Sequence, residues 1–514
     1  MLKEIFIGES KSKAIILHAA LIALSFAFVY MFSYSTSPLY DMLGGDSSIF
    51  QVIGKYWAQG YLPYVDLFDH KGPLLFLINA IGYAIYPRAG IMVPQIIFLY
   101  LSCLFIWRAM ELYSSRRKIF FLTVALIFYA AHYEEGNHVE EYSVLFLSVS
   151  MYFFLRSLKE NNFLPLYGFI YGICFGACFL IRVSDAAQIC CQTFLVAIFL
   201  LQAKDFKNLR QNFLSFCAGF ATIVLPFVIY FAAHGALYDM IYGTILFNLK
   251  YTSLNYHLPF EFQVAYDVFH FLPLYAIIIL AALALKQNPT SRLPQSALFI
   301  GTTITFMLMS LRPYGHYAII IFPMTPILFA VIHGAINEFR KIWRTPRLSF
   351  KRILVKFLII FVALDTFILA LHAKEYYFGE KRYEINNPDE QENISTLRKM
   401  IPKNEEKSFV TWGYYCTAPH WILRTNLKSR ERVFTHNSHQ MKVDPARRRE
   451  WFGNVKKNYP LWILYGTAPN RKPGEPPKTN MEDTELEQLL EEKYSLRGEV
   501  YIFPQVMKLY RLKD

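Results

Sequence analysis

The stretch AIILHAALIALSFAFVYMFS, residues 14–33, decides what kind of chain this is. It holds no Asp, Glu, Lys or Arg over a length that matches the roughly 20 apolar residues needed to cross a bilayer core as one helix. The run is too long for a signal-peptide core and no small-residue cleavage site follows it, so a retained anchor helix is expected. Further apolar runs predict spans near 91–110, 119–133, 142–157, 164–181, 186–203, 213–234, 267–285, 296–311, 316–336 and 353–373, eleven in all with the first. The composition agrees: 54% of the 514 residues are hydrophobic, 46 of them Phe and 35 Tyr, far from the usage of a soluble domain. The fold class expected is therefore a polytopic α-helical membrane protein.

The formal charge of +13 has its explanation in topology rather than in nucleic acid. Lys3, Lys11 and Lys13, the cluster SSRRK (114–118), KDFKNLR (204–210) and RKIWRTPRLSFKR (340–352) all fall on one side of the predicted spans. That side carries about 21 Lys and Arg against about six in the opposite loops, and basic residues stay in the cytoplasm. The N-terminus is then cytoplasmic, and an odd number of spans sends the tail from residue 374 to the other side. Six of the seven cysteines lie in or beside apolar runs, with no disulfide framework and no metal-type spacing.

Two segments depart from the pattern of spans and loops. Residues 34–90 form a long first outer loop with two short apolar stretches, 47–60 and 73–86, which read as helices lying along the outer surface. From 374 onward the chain turns polar. Strand-like runs at 408–415, 461–467 and 500–512 alternate with helical ones such as 484–494, and a Pro-rich loop occupies 470–479. Two domains are expected: a membrane domain, 1–373, and a small extracytoplasmic α/β domain, 374–514.

Charge is costly in or near lipid, so its placement carries information. On the outer side it collects at a few points. Asp46 stands in LGGDSSIF. Asp66, Asp69, His70 and Lys71 crowd the stretch YVDLFDHKGP (64–73). Glu134, Glu135, Glu140 and Glu141 lie in HYEEGNHVEEYSVLF (132–146). Arg182 and Asp185 close the fifth predicted span, and Arg312, Tyr314, His316 and Tyr317 lie in LRPYGHYAIIIFP (311–323). These loops face one side and can converge on one cavity. Carboxylates beside Lys, Arg and His suit a reaction in which an acid takes a proton from an acceptor hydroxyl or amine while cations stabilise a departing phosphate.

In these motifs the chain resembles the glycosyltransferase-C superfamily, as bacterial members that include protein O-mannosyltransferases and lipid A aminoarabinose transferases. The matching elements are Asp46 in GGDSSIF just after the first span, Lys71 in DHKGPLLFLINAIG, Glu141 or Glu140 in GNHVEEYSVLF, and the late outer element RPYGHYAIIIFP. The resemblance covers residues 1–373 in topology. It implies an inverting enzyme of the bacterial inner membrane that takes a polyprenyl-phosphate sugar from the bilayer and passes the sugar to an extracytoplasmic acceptor: lipopolysaccharide, another surface glycan, a lipid or a protein. It implies Asp46 as general base, with Glu141 or Glu140 orienting acceptor or sugar. Lys71, with Arg312 or His316, would hold the phosphate, and Asp69, His70, Arg182, Tyr314 and Tyr317 are candidates for further substrate contacts. The adjacent acidic pair usual in the family's first loop is missing, since Ser47 and Ser48 follow Asp46; a divalent metal is neither required nor excluded, and no organic cofactor is implied. Two rival readings exist. A transporter or flippase for a lipid-linked glycan calls for ionisable groups near the bilayer midplane, and only Asp365 lies that deep. A membrane scaffold leaves the acidic loops without a purpose.

Overall fold

The computed structural model describes residues 2–8, 10–252, 260–310, 314–344, 350–378, 389–413, 416–435, 443–467, 484–502 and 505–514. Two expected features, Arg312 and the Pro-rich loop 470–479, lie outside them. The helices in chain order are α1 (Leu2–Phe6), α2 (Lys11–Phe32), α3 (Asp46–Ala58), α4 (Pro73–Ile85), α5 (Met92–Glu111), α6 (Lys118–His132), α7 (Val139–Glu160), α8 (Pro165–Ile181), α9 (Ala187–Gln202) and α10 (Phe206–Ala233). They continue with α11 (Leu237–Ile241), α12 (Phe247–Thr252), α13 (Phe260–Leu285), α14 (Arg292–Ser310), α15 (Thr325–Arg344), α16 (Phe350–Phe378), α17 (Glu390–Arg398), α18 (Thr417–Thr425), α19 (Pro445–Lys457) and α20 (Thr484–Lys493). A 3-10 segment, Gly315–Met324, leads into α15.

Among the described residues six helical stretches are long and apolar enough to cross a membrane: Lys11–Phe32, Ala89–Glu111, Val183–Gln202, Phe206–Ala233, Arg292–Ser310 and Gly315–Gly334. The other five expected spans fall on helices of a different character. Lys118–His132, Pro165–Ile181 and His270–Leu285 are apolar but shorter. Helix α7 carries Glu140, Glu141, Arg156, Lys159 and Glu160, and α16 is interrupted by Lys356 and Asp365. A count of eleven spans thus rests on sequence pattern alone.

Helix α7 is the axis of the bundle. Nearly all of its first sixteen positions are buried, polar ones included, as befits a helix with neighbours on every side. It packs on α5, α8, α9 and the 315–324 segment. Helices α8 and α10 approach more closely than any Cβ would allow. Gly168, Gly172 and Gly219 each lie against backbone of the opposite helix, the small-residue contact by which helices associate where no hydrophobic effect drives them together.

The two short helices of the first outer loop pack on each other. The expectation that they lie open along a surface is corrected by α3, which is buried from Ser47 to Tyr56. The reason is α18, which lies across it. Beyond α18 stands a four-stranded sheet of order β1 (Phe409–Gly413), β2 (Trp462–Thr467), β4 (Gln505–Leu512), β3 (Tyr494–Ile502). Strand β1 runs parallel to β2, and β4 is antiparallel to both of its neighbours. Strand β3 begins six residues earlier than the expected 500–512 run, which spans parts of both strands of this hairpin. Alternation sorts the side chains. Phe409, Trp462 and Leu464 join one apolar cluster with Trp421 of α18 and Ile49, Phe50 and Ile53 of α3, while Val410, Trp412, Ile463 and Tyr465 pack under α19 and α20. With both faces covered, β2 is buried along its whole length and begins with the apolar run Trp462–Tyr465.

The glycine contact makes a prediction. Gly172→Leu should lower the thermal midpoint of the detergent-purified protein by an amount corresponding to about 1–3 kcal/mol, because the added atoms meet backbone that cannot yield. Gly453→Ala, in α19 with open space around it, should be neutral or stabilising. Equal midpoints for wild type and Gly172→Leu would mean that the two helices do not meet here.

Candidate functional site

Asp46 opens α3, and its surroundings are set from another loop. The residue before it, Gly45, has no side chain with which to cap the helix. The Glu135 carboxylate supplies the cap, accepting hydrogen bonds from the backbone N–H groups of Gly45 (2.7 Å) and Ser47 (3.1 Å). Burial pushes the Glu135 carboxyl up to about 7, and the charge on Asp46 adds to the shift. Asp46 itself is half-buried, and among the described residues its carboxylate has neither a hydrogen-bond nor an ion-pair partner.

The loop that carries Glu135 is held under strain. Glu134 and Asn137 have φ of 49° and 59°, the left-handed region that costs a side-chain-bearing residue about 1 kcal/mol or more. A buried network pins them. Asn137 donates from Nδ2 to Ser47 Oγ (2.9 Å) and Asn79 Oδ1 (3.0 Å), and its Oδ1 accepts from the Tyr142 hydroxyl (2.6 Å), so that α3, α4 and α7 share one polar node. Glu141 accepts from Tyr133 (2.6 Å), from Gln95 (3.0 Å) and from the Asn137 backbone N–H (2.8 Å). It is wholly engaged in holding the loop. Glu140 instead faces Arg182, with which it forms an ion pair, and Arg182 also meets Asp185 at 2.5 Å and stacks 4.3 Å from the Tyr317 ring centre.

The third wall is the stretch 64–73. Tyr64 takes a left-handed φ of 70° and donates from its hydroxyl to the Lys71 carbonyl (2.7 Å). Asp66 accepts from the Leu62 N–H (2.7 Å) and so shapes the turn. Asp69 accepts from the Lys71 N–H (3.0 Å), and His70 Nε2 lies 3.3 Å from Lys71 Nζ. Burial raises the Asp69 carboxyl to about 6, Lys71 opposing and Asp46 reinforcing the shift. The field of Asp46 is thus felt at both Asp69 and Glu135, which brings the first loop, the 64–73 stretch and the 133–138 loop to one place.

On the far side Glu134 meets the 315–324 segment. Its Oε1 accepts from the His316 backbone N–H (3.1 Å), and its Oε2 lies 3.1 Å from His316 Nδ1. Burial alone would raise the Glu134 carboxyl, but the His316 and His138 imidazoles outweigh it and hold the group down at about 2. Tyr314 stacks on His316 with ring centres 5.6 Å apart. The described residues therefore bring together Asp46, Asp69, His70, Lys71, Glu140, Arg182, His316, Tyr314 and Tyr317, with Glu141 one layer behind. Glu134, His138 and His316 also form a set of potential metal ligands.

Several residues outside the expected site hold it in place. His420 Nε2 donates to the Gly44 carbonyl (2.9 Å), and Arg424 binds Asp41 (2.7 Å) and Glu390 (2.8 Å), so α18 grips the chain just before Asp46. Lys55 donates to Asn426 Oδ1 (2.5 Å) from the other end of α3. Arg447 is buried 3.1 Å from the Phe68 ring centre, with Asp444 at 3.1 Å. The apolar runs give no hint of the contacts to Gly44, Asp41, Asn426 and Phe68, because these join segments more than 300 residues apart.

Two solved structures share this fold. Crystal structures of ArnT from Cupriavidus metallidurans, one bound to undecaprenyl phosphate and one in the apo state, superpose with TM-scores of 0.61 and 0.59. The chain has the ArnT fold. The match covers 97% of this chain and 98% of ArnT in each case, at 13% and 11% sequence identity, so the sheet-bearing tail is part of the shared fold. No family model and no curated protein matches the sequence. At this level of identity the likeness is one of fold.

The Glu135 cap is open to test through pH. Its folded-state carboxyl titrates near 7, above the usual 4.5. The stability it contributes is complete below pH 4.5 and is lost as the pH rises toward 7. The difference in thermal midpoint, Glu135→Gln minus wild type, should therefore grow over pH 4.5–7 and level off above. A flat difference would place Glu135 in water rather than on α3.

Proposed function

We propose that this protein is an inverting glycosyltransferase that moves a sugar from a polyprenyl-phosphate carrier to an acceptor outside the cytoplasm. The single observation that carries the reading is the carboxylate of Asp46, which has no partner among the described residues while the neighbouring acids are paired, in a chain with the fold of a protein solved with undecaprenyl phosphate. Glu134, Glu135, Glu140, Glu141 and Asp69 each spend their oxygens on a neighbour. Of these acids, Asp46 is the one left without a partner among the described residues.

In the proposed step the acceptor hydroxyl or amine attacks the anomeric carbon and gives its proton to Asp46. The bond from that carbon to the phosphate oxygen breaks, and the electron pair leaves on the phosphate, where Lys71 stabilises it. A single displacement inverts the anomeric centre. His70 shares the Lys71 ammonium's surroundings and so helps set its position. Glu140, tied to Arg182, is the better placed of the two neighbouring glutamates to orient acceptor or sugar, Glu141 being a positioning residue behind it. The carrier we favour is undecaprenyl phosphate, and the acceptor a lipopolysaccharide or other surface glycan. The setting we favour is the bacterial inner membrane, with the N-terminus cytoplasmic and the sheet-bearing tail outside.

Transfer from a synthetic polyprenyl-phosphate sugar by the purified protein tests the chemistry. Asp46→Asn should abolish it. Lys71→Ala should lower turnover by roughly 10²–10³-fold, as for loss of one stabilising donor in a water-poor site, and Lys71→Arg should recover part of the loss. Normal transfer by Asp46→Asn would refute the assignment. Sidedness is checked separately: a periplasm-active reporter fused after residue 435 should be active, and one fused at 290 inactive.

A further inference from the structure

Glu134, His138 and His316 come from two segments that meet beside the Asp46 helix, and they pose a question that sugar transfer leaves unanswered. The ligand-type atoms of the three side chains all lie within 4.8 Å of one another. Glu134 Oε2 stands 3.1 Å from His316 Nδ1 and 3.8 Å from His138 Nε2. The second distance is too long for a hydrogen bond. His138 is 3% exposed, and among the described residues its Nε2 has no hydrogen-bond partner. A buried imidazole nitrogen left in this way is costly unless something satisfies it. Gly315 keeps the space open, for a Cβ there would come within 2.8 Å of Glu134 Oε1.

We infer that Glu134, His138 and His316 bind a divalent cation of the zinc class. Two imidazoles and one carboxylate are the donor set of that class, whereas calcium and magnesium take oxygen ligands. Zinc holds nitrogen at about 2.0–2.1 Å and carboxylate oxygen at about 2.0–2.2 Å, which sets neighbouring ligand atoms a little over 3 Å apart. Glu134 and His316 are already at that separation. His138, 3.8 Å from Glu134, reaches it when its ring turns. The two rings now stack with centres 4.3 Å apart and planes 6° from parallel; both cannot point at one ion from parallel planes, so binding turns one ring out of the stack. Three protein ligands leave a fourth position open to water or an anionic oxygen. The ion would tie the 133–138 loop to the 315–324 segment, and through Glu135 it would fix the start of α3. This adds a coordination site to the acids and cations already described, and it does not depend on sugar transfer, because metal uptake is measured without substrate.

The test uses the full-length protein in detergent, stripped with a chelator and then equilibrated with Zn²⁺ or Co²⁺. One equivalent of metal should be retained, Co²⁺ should develop the visible absorption of a low-coordinate nitrogen–oxygen site, and Zn²⁺ should raise the thermal midpoint. His138→Asn and His316→Gln should each weaken binding by at least the roughly 10–100-fold that loss of an outer-shell partner costs, and should remove the zinc-dependent rise in midpoint. His132→Gln, which alters the neighbouring His132–His270 pair (2.7 Å), should retain the metal. Wild-type protein that takes up no stoichiometric metal overturns the inference, as does undiminished binding by a folded His138→Asn variant. Should the variants not fold, X-ray absorption of the zinc-loaded wild type decides: two imidazoles in the first shell support the site, and a sulfur or all-oxygen shell overturns it.

Discussion

The carboxylate of Glu135 on the backbone of Gly45 and Ser47 is the contact on which the rest of the site depends. A helix start exposes N–H groups that need acceptors, and a glycine at the cap position supplies none. By lending its carboxylate, the loop between α6 and α7 becomes joined to the first outer loop. The direction of α3 is then set from the bundle, and so is the position of Asp46 on its first turn. A cap of this kind stabilises by about 0.5–2 kcal/mol, a modest amount for the protein and a large one for the placement of a single side chain.

Around this contact lies a buried polar layer that few soluble cores would hold. Asn137, Asn79, Ser47, Gln95, Tyr133, Tyr142 and Glu141 satisfy one another with short hydrogen bonds. In a low-dielectric setting such a network is stable when complete and costly when any member is lost. It supports the left-handed turns at Glu134 and Asn137, which in turn aim two adjacent carboxylates in opposite directions. Glu135 goes to α3, and Glu134 to His316. One strained loop thus joins the start of α3 to the 315–324 segment.

The sheet-bearing tail is joined to the same element from the other side. The apolar cluster that contains Trp421 and Phe409 continues into Ile49, Phe50 and Ile53, and His420 and Arg424 bind the chain at Gly44 and Asp41. Helix α3 is therefore enclosed between bundle and sheet. Its covered position suits a residue that must keep one orientation in front of a substrate.

The sequence by itself determined the apolar, helical character of the protein, the position of most of its helices and the stretches in which charge gathers. Those features are written in local composition: runs such as 14–33 must be helical and lipid-soluble, and Asp46, Lys71 and Glu140 stand out because charge near lipid is expensive. Strand pairing, the burial of α3 and the division of labour between Glu140 and Glu141 were decided only by the tertiary structure. Two adjacent glutamates on one helix are alike in sequence, yet they point to different faces, where one meets Arg182 and the other Tyr133 and Gln95. The convergence of Glu134, His138 and His316 has the same origin. Two of these residues are four apart, but the third lies 178 positions beyond His138, and only the packing of α7 against the 315–324 segment brings the imidazoles face to face.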